Sequence, residues 1–290
     1  MDVYLVDGTY ELFRHFYALP SHLNTLGEEV AAVRGVLGTI AGLLESGATH
    51  IGVATDHVIE SFRNDLWPGY KTGEGVDPRL LSQFWPLEES LQSMGILVWP
   101  MVELEADDAI AAAAASLARF KEIDRIYICS PDKDFGQCVV GTRIVQLNRR
   151  DNSIRDAQGV HDKFGVGPES IPDFLALVGD TADGYPGLTG WGEKSASTVL
   201  AAYHHLEQIP KSPQDWKVTV RGSSRLARTL QEEFKLAMLF RDLATLRTDK
   251  PRLTSTDDLR WTSPKPSFQA TLDRLEAPSL SERLGSIMRS

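Results

Sequence analysis

The chain has 290 residues, 42% of them apolar, with Lys+Arg 30 against Asp+Glu 40, a formal net charge of −10. That length and apolar share suit one large domain or a core with an appendage, and the negative balance argues against holding nucleic acid through the overall field. Two cysteines, Cys129 and Cys138, argue against a disulfide framework. MDVYLVDG lacks the basic start of a signal peptide. The longest apolar run, AIAAAAASLA from Ala109, is too short to span a membrane, so a cytoplasmic protein is expected.

VYLV (3–6) predicts a first strand, apolar and β-branched, ended by Asp7. A helix over 30–46 leads to a second strand, HIGVAT (50–55), ended by Asp56. A helix over 79–94 leads to a third, ILVW (96–99). ELEADDA then opens a helix over 106–120, with acids in its first turn where the helix dipole favours them. RIYICS (125–130) and RIVQLN (143–148) predict strands on either side of SPDKD. Such alternation implies an α/β fold, a mainly parallel sheet with helices on both faces. The working site of such a sheet lies beyond the carboxyl ends of its strands. PESIPDFLALVGD reads as a further helix, with Pro168 near its start and Gly179 near its end. The glycine loop GYPGLTGWG then opens another helix at Lys194. Backbone N–H groups at such a helix start can seat a phosphate, with Lys194 adding a charge-assisted contact. A helix hairpin that uses glycine only for its turns is the plainer alternative.

Acids recur where apolar runs end: Asp7, Asp56, the Glu105-Asp107-Asp108 group, Asp132 with Asp134, and Asp180 with Asp183. One Asp after a strand is usually a turn former or an N-cap. Five sites of one pattern suggest convergence, and converging carboxylates need cations to hold them together. An all-oxygen set favours Mg²⁺ over zinc, with Mn²⁺ able to substitute. Two such ions about 4 Å apart can clamp a phosphate, lower the pKa of a bound water and stabilise the leaving oxygen. None of the seven histidines has metal spacing in these motifs. Residues 211–250 carry nine Lys/Arg against five acids, a local +4 that could hold a duplex or simply solvate a helix surface.

In order, DGTYELFR, FRNDLWPGYK, ELEADDAI, SPDKDFGQ and LVGDTADGYPGLTGWGEKSA resemble the successive motifs of the 5′ nuclease (flap endonuclease) superfamily. They are similar in particular to the 5′–3′ exonuclease domain of bacterial DNA polymerase I and its stand-alone relatives. The resemblance implies a PIN-like core over 1–168, with a short helical arch near 63–80, and a helix–hairpin–helix module of the H3TH type over 169–290. It implies Asp7, Asp56, Glu105 and Asp107 around a first Mg²⁺, with Asp108 ligating directly or through water. Asp132 and Asp134 are then bridging or second-metal ligands, and Asp180 and Asp183 close the second site.

The same resemblance implies that Lys71 acts electrostatically on the scissile phosphate, a solvated surface lysine being the plainer alternative, and that Arg14 is the family arginine. Phe13 is expected to stack on a terminal base pair, or else to be a core phenylalanine. Arg63 and Tyr70 are expected at the start of the arch, as DNA-binding residues. Gly190, Gly192 and Lys194 are expected to seat duplex backbone, with K⁺ on the loop carbonyls. The implied substrate is DNA with a 5′ flap or a 5′ end at a duplex junction. Three positions depart from the pattern: Glu74 stands where relatives carry a basic residue, Pro131 precedes DKD in place of Gly, and Gly184 replaces Asn. These changes suggest an altered grip on substrate or a protein partner that supplies DNA contacts. Two rivals are a PIN-type ribonuclease, which lacks the GDxxD…GxGEK module, and a catalytically weak DNA-structure-binding protein of the same descent.

Overall fold

The structure, a computed structural model, describes residues 1–289. Along the chain, β1 (Asp2–Asp7) runs into α1 (Gly8–Ala18), and α2 (Ala31–Glu45) returns to β2 (His50–Asp56). The short α3 (Phe62–Leu66) and α4 (Pro78–Leu81) bracket the expected arch. α5 (Phe84–Ser93) then leads to β3 (Leu97–Met101), and α6 (Ala106–Leu117) to β4 (Arg125–Cys129). Next come β5 (Ile144–Asn148), β6 (Ser153–Arg155), α7 (Ala157–Phe164), α8 (Ile171–Val178) and α9 (Glu193–Tyr203). The chain continues through α10 (Ser223–Glu232), α11 (Phe234–Ala244), α12 (Phe268–Leu275) and α13 (Pro278–Ile287). No helix among the described residues is long and apolar enough to cross a membrane.

These elements form two compact units that interleave along the sequence. The first takes Met1–Ile59, Gly73–Ser130 and the stretch from Arg247 onward; the second takes Glu60–Thr72 and Pro131–Leu246. This partition by packing differs from the expected linear division at residue 168, which follows the sequence. The C-terminal stretch belongs with the first unit because Trp261 donates its backbone N–H to the Thr49 carbonyl (2.8 Å) and its indole N–H to the Met94 carbonyl (2.9 Å). Helix α13 packs on α2, and α12 on α5.

In the first unit the strands are parallel, in the order β3-β2-β1-β4. The crossovers β1→β2→β3 step in one direction and β3→β4 steps back. Right-handed connections therefore put α2 and α5 on one face of the sheet and α6 on the other. The reversal falls between β1 and β4, and a ligand crevice belongs beyond the carboxyl ends of such strands. The helix expected over 79–94 is divided into α4 and α5. Between them Gln83 is wholly buried, and its side-chain oxygen accepts from the Ala32 and Val33 N–H groups (3.1 and 3.3 Å). A single helix is thus interrupted to cap α2, whose own N-cap residue, Val30, supplies no side-chain bond.

The second unit is mainly helical. Val139, Val160 and Val166 join Leu175, Leu177, Val199, Leu200, Leu230 and Phe240 in one core, with α8 packed against α9 and α11. That shared core is why residues 131–168 leave the sheet unit. β6, which has too few apolar residues to show in the sequence, pairs antiparallel with β5.

Candidate metal centre and its flanking cations

In the first unit the acids stand at the carboxyl ends of the strands and are tied to the chain. Asp7 closes β1 and caps α1: Oδ1 accepts from Tyr10 N (2.8 Å) and Oδ2 from Ser130 Oγ (3.0 Å). Asp56 closes β2, and its Oδ1 accepts from Ala106 N at the start of α6 (2.7 Å). Glu105 is buried at the α6 N-cap, and Asp107 is half-buried within the first turn of that helix. Asp108 is wholly buried; Oδ2 accepts from Glu105 N (3.0 Å) and Oδ1 from Arg247 N (2.8 Å). The sequence left Asp108 open as a ligand. Both of its oxygens hold backbone N–H groups here, so it orients the α6 start.

In the second unit Asp134, Asp180 and Asp183 bring carboxylate oxygens within 4.8 Å of one another. Asp134 is 5% exposed and its Oδ1 has no hydrogen-bond partner. Burial, reinforced by Asp132, Asp183 and Asp180, pushes its carboxyl well above the usual range. Asp132 is exposed, and its Oδ1 accepts from Asp134 N (3.0 Å). Two ammonium groups flank the cluster: Lys133 Nζ lies 2.9 Å from Asp180 Oδ2, and Lys71 Nζ 3.4 Å from Asp183 Oδ1. Burial works against the Lys133 ammonium, but its bond to Asp180 and the surrounding aspartates hold it above its usual range. Carboxylates this close cannot all ionise without added positive charge. An all-oxygen set with one buried, orphaned lone pair suits a hard divalent cation.

Sequence reasoning missed two residues here. Lys133 lies between the two aspartates of SPDKD, and only the acids drew notice. Tyr185 exchanges backbone hydrogen bonds with Asp180 (2.8 and 3.0 Å), and its buried hydroxyl has no partner. Burial, Asp134, Asp180 and Asp183 drive its phenol far above the usual range. The Gly184 departure has a steric reason: its φ is +81°, and a Cβ there would lie 2.0 Å from the Gly69 carbonyl oxygen.

The remaining candidates divide. Arg63, expected to face DNA, is 1% exposed; its guanidinium donates to the Leu243 and Thr245 carbonyls (2.8 and 3.2 Å) and lies over Phe62. It clamps α3 to the end of α11, and a group so enclosed cannot reach a phosphate. Tyr70 is buried in the core of the second unit, with Lys71 Nζ 5.7 Å from its ring centroid. Phe13 is half-buried, edge-on to Phe84. Arg14 pairs with the buried Glu11. Gly190, Gly192 and Lys194 are exposed around the start of α9, and a Cβ on Gly190 would lie 3.3 Å from the Arg225 guanidinium. Within the basic stretch 211–250, Arg241 is already committed to Asp173 and Glu207 (3.0 and 2.6 Å).

Comparison with known proteins bears on the family of the chain. Residues 2–165 match the 5′–3′ exonuclease N-terminal, resolvase-like domain, and residues 166–267 the 5′–3′ exonuclease C-terminal SAM fold. DNA polymerase I of Pseudomonas aeruginosa is 37% identical over 256 residues, which are 84% of this chain and 27% of that polymerase; the chain thus spans about a quarter of its length. The 5′–3′ exonuclease of Aquifex aeolicus is 30% identical over 290 residues, 99% of this chain and 96% of that one. A bacteriophage T5 flap endonuclease, solved with DNA and metal ions, shares the fold with a TM-score of 0.66 at 17% identity, covering 100% of this chain and 98% of that one. With both family domains matched in sequence over nearly its whole length, the chain belongs to the 5′–3′ exonuclease family.

Proposed function

We propose that the chain is a divalent-metal-dependent 5′ nuclease that hydrolyses DNA phosphodiesters at or near single-strand/double-strand junctions. The observation that carries this reading is the convergence of Asp134, Asp180 and Asp183 around the orphaned Asp134 Oδ1. The family assignment supports the reaction class, and the phage flap endonuclease with DNA and metal ions supports the substrate. Mg²⁺ is the proposed ion, with Mn²⁺ as substitute, because every candidate ligand is a carboxylate. Asp7, Asp56, Glu105 and Asp107 are proposed to serve one ion, and Asp132, Asp134, Asp180 and Asp183 another. When bound, the pair supplies water activation and stabilisation of the leaving oxygen.

The chain's own groups do the rest. Asp108 fixes the start of α6, and with it Glu105 and Asp107. Lys71 offers its ammonium to the phosphate being cut, while Arg14, steered by Glu11, adds positive charge on the α1 face. Gly190, Gly192 and Lys194 are proposed to receive duplex backbone, with K⁺ held by the loop carbonyls. In this functional division, residues 1–168 supply most of the ligands and 169–290 most of the duplex grip. The cytoplasm is the proposed working compartment.

The test uses an end-labelled 5′-flap DNA and a matched blunt duplex, each with Mg²⁺ and with EDTA. Metal-dependent cutting at the flap junction, lost in Asp134→Ala, is the expected result. Junction-selective binding with no cutting under any divalent ion would reject the nuclease and favour the binding-protein rival.

A further inference from the structure

Several arginines in this protein are matched one to one with a carboxylate: Arg14 to Glu11, Arg79 to Asp77, Arg283 to Glu45. In the second unit Arg155 and Lys163 break that habit. Neither has a carboxylate within ion-pair distance among the described residues. The half-buried Arg155 donates from Nη1 only to the neutral Gln146 Oε1 (3.0 Å), and Lys163 Nζ lies 4.8 Å over its neighbour's ring, Phe164. Burial pulls both cations below their usual range, and Arg155 adds its repulsion to Lys163. Arg155 is half-buried and Lys163 exposed, and like charges that repel one another gain from an anion that joins them.

Three contacts fix where this pair sits. Gln146, which holds Arg155, donates from Nε2 to the Asp132 carbonyl (2.5 Å), so Arg155 is tied to the loop that bears Asp132 and Asp134. The Arg155 side chain then crosses α7 at Gly159, where an added Cβ would lie 3.0 Å from Arg155 Cγ. Lys163 is four residues on, on the same face of that helix. Past the end of α7, Gly165 approaches Ser197 of α9 so closely that a Cβ would lie 2.9 Å from the serine Cβ. The charges of Asp132, Lys133 and Glu193, the first residue of α9, all act on Lys163. The unpaired cations are thus tied through Gln146 to the loop that bears Asp134, and through Gly165 to α9, which follows the glycine loop.

We propose that Arg155 and Lys163 form a phosphate-binding track for the DNA backbone between that loop and the metal centre. The inference rests on the nuclease reading and extends it to residues outside the metal and loop motifs. It also answers the charge problem of the whole chain. A −10 protein needs cations that no carboxylate of its own has neutralised, and this pair supplies two of them at the place of need.

The test is binding of a fluorescent 5′-flap DNA with Ca²⁺ in place of Mg²⁺, over a range of KCl concentrations. The proteins compared are wild type, Arg155→Gln/Lys163→Gln and Arg155→Lys/Lys163→Arg. The neutral double variant should bind about tenfold more weakly. Its slope of log Kd against log salt should fall by nearly 2, at about 0.9 for each phosphate that is no longer neutralised. The charge-preserving variant should keep the wild-type slope, and Mn²⁺ affinity should be the same in all three. An unchanged slope in the neutral variant, while wild type still cuts the flap, overturns the track and leaves the nuclease standing. Equal weakening in the charge-preserving variant also overturns it, because the role would then be packing. If wild type neither binds nor cuts flap DNA, the nuclease reading falls and the track falls with it.

Discussion

In the first unit Asp7, Asp56 and Asp108 direct their oxygens at the chain itself: a helix cap, the α6 start, the Arg247 amide. In the second, Asp134, Asp180 and Asp183 crowd one another, leave an oxygen unsatisfied and lean on Lys133 and Lys71. Backbone dipoles stabilise a carboxylate whether or not an ion is present. Side-chain cations do so only until something of higher charge displaces them. The first group is therefore built into the fold, whereas the second is a set of like charges whose full compensation comes from a ligand. The two should respond in opposite directions to the same kinds of substitution.

The largest effect concerns turnover. Asp134→Ala and Asp183→Ala should each slow single-turnover cleavage of 5′-flap DNA by about a thousandfold, the order of several kcal/mol for a lost metal ligand, and change DNA affinity far less. Wild-type rates in either variant at saturating Mg²⁺ would remove that residue from the ligand set.

Stability sharpens the contrast. Asp108→Ala strips a fully buried acceptor from two backbone N–H groups and should lower unfolding free energy by about 3 kcal/mol. Asp134→Asn relieves repulsion and should raise it by about 1 kcal/mol in EDTA. Urea denaturation of both variants would read this, and losses of equal size would erase the distinction between the two groups.

The same contrast has a pH signature. The Asp134 carboxyl titrates above its unfolded value, so the folded protein keeps a proton that the unfolded chain has already released. Its stabilising contribution is complete below the unfolded pKa and is lost as pH rises through the raised one. Melting temperature in EDTA should fall across that window in wild type, and Asp134→Asn should flatten the fall. A curve of the same shape in the variant would assign the pH dependence elsewhere. The smallest effect is that of Lys71→Ala: cleavage about tenfold slower, an electrostatic contact to phosphate removed, with Mn²⁺ binding retained. An unchanged single-turnover rate would take Lys71 away from the phosphate.

The strands and the acidic positions were legible because both follow from local rules. Alternating apolar runs marked β1 to β5 to within a residue or two, and the acids stood at their ends. Partnership was not legible. That Asp108 faces Arg247, or that Arg63 closes over the Leu243 and Thr245 carbonyls, depends on contacts far apart in sequence, so a buried clamp and an exposed phosphate ligand read alike. Lys133 was hidden for the opposite reason. Its neighbours in the chain are its neighbours in space, but a lysine between two aspartates reads as solvated surface until Asp180 is brought to it. The split between α4 and α5 also escaped, because its cause is Gln83 serving a different helix.

The interleaved order of the two units has a further consequence for how the molecule is made. The sheet unit draws on residues near the start of the chain and again from Arg247 onward, with Trp261 bonded to the Thr49 and Met94 carbonyls. On the ribosome, where synthesis proceeds at about 5–20 residues per second, β1 to β4 emerge well before the segment that finishes their packing. The helical unit, complete at Leu246, is in a position to settle before the segment from Arg247 onward closes the sheet unit.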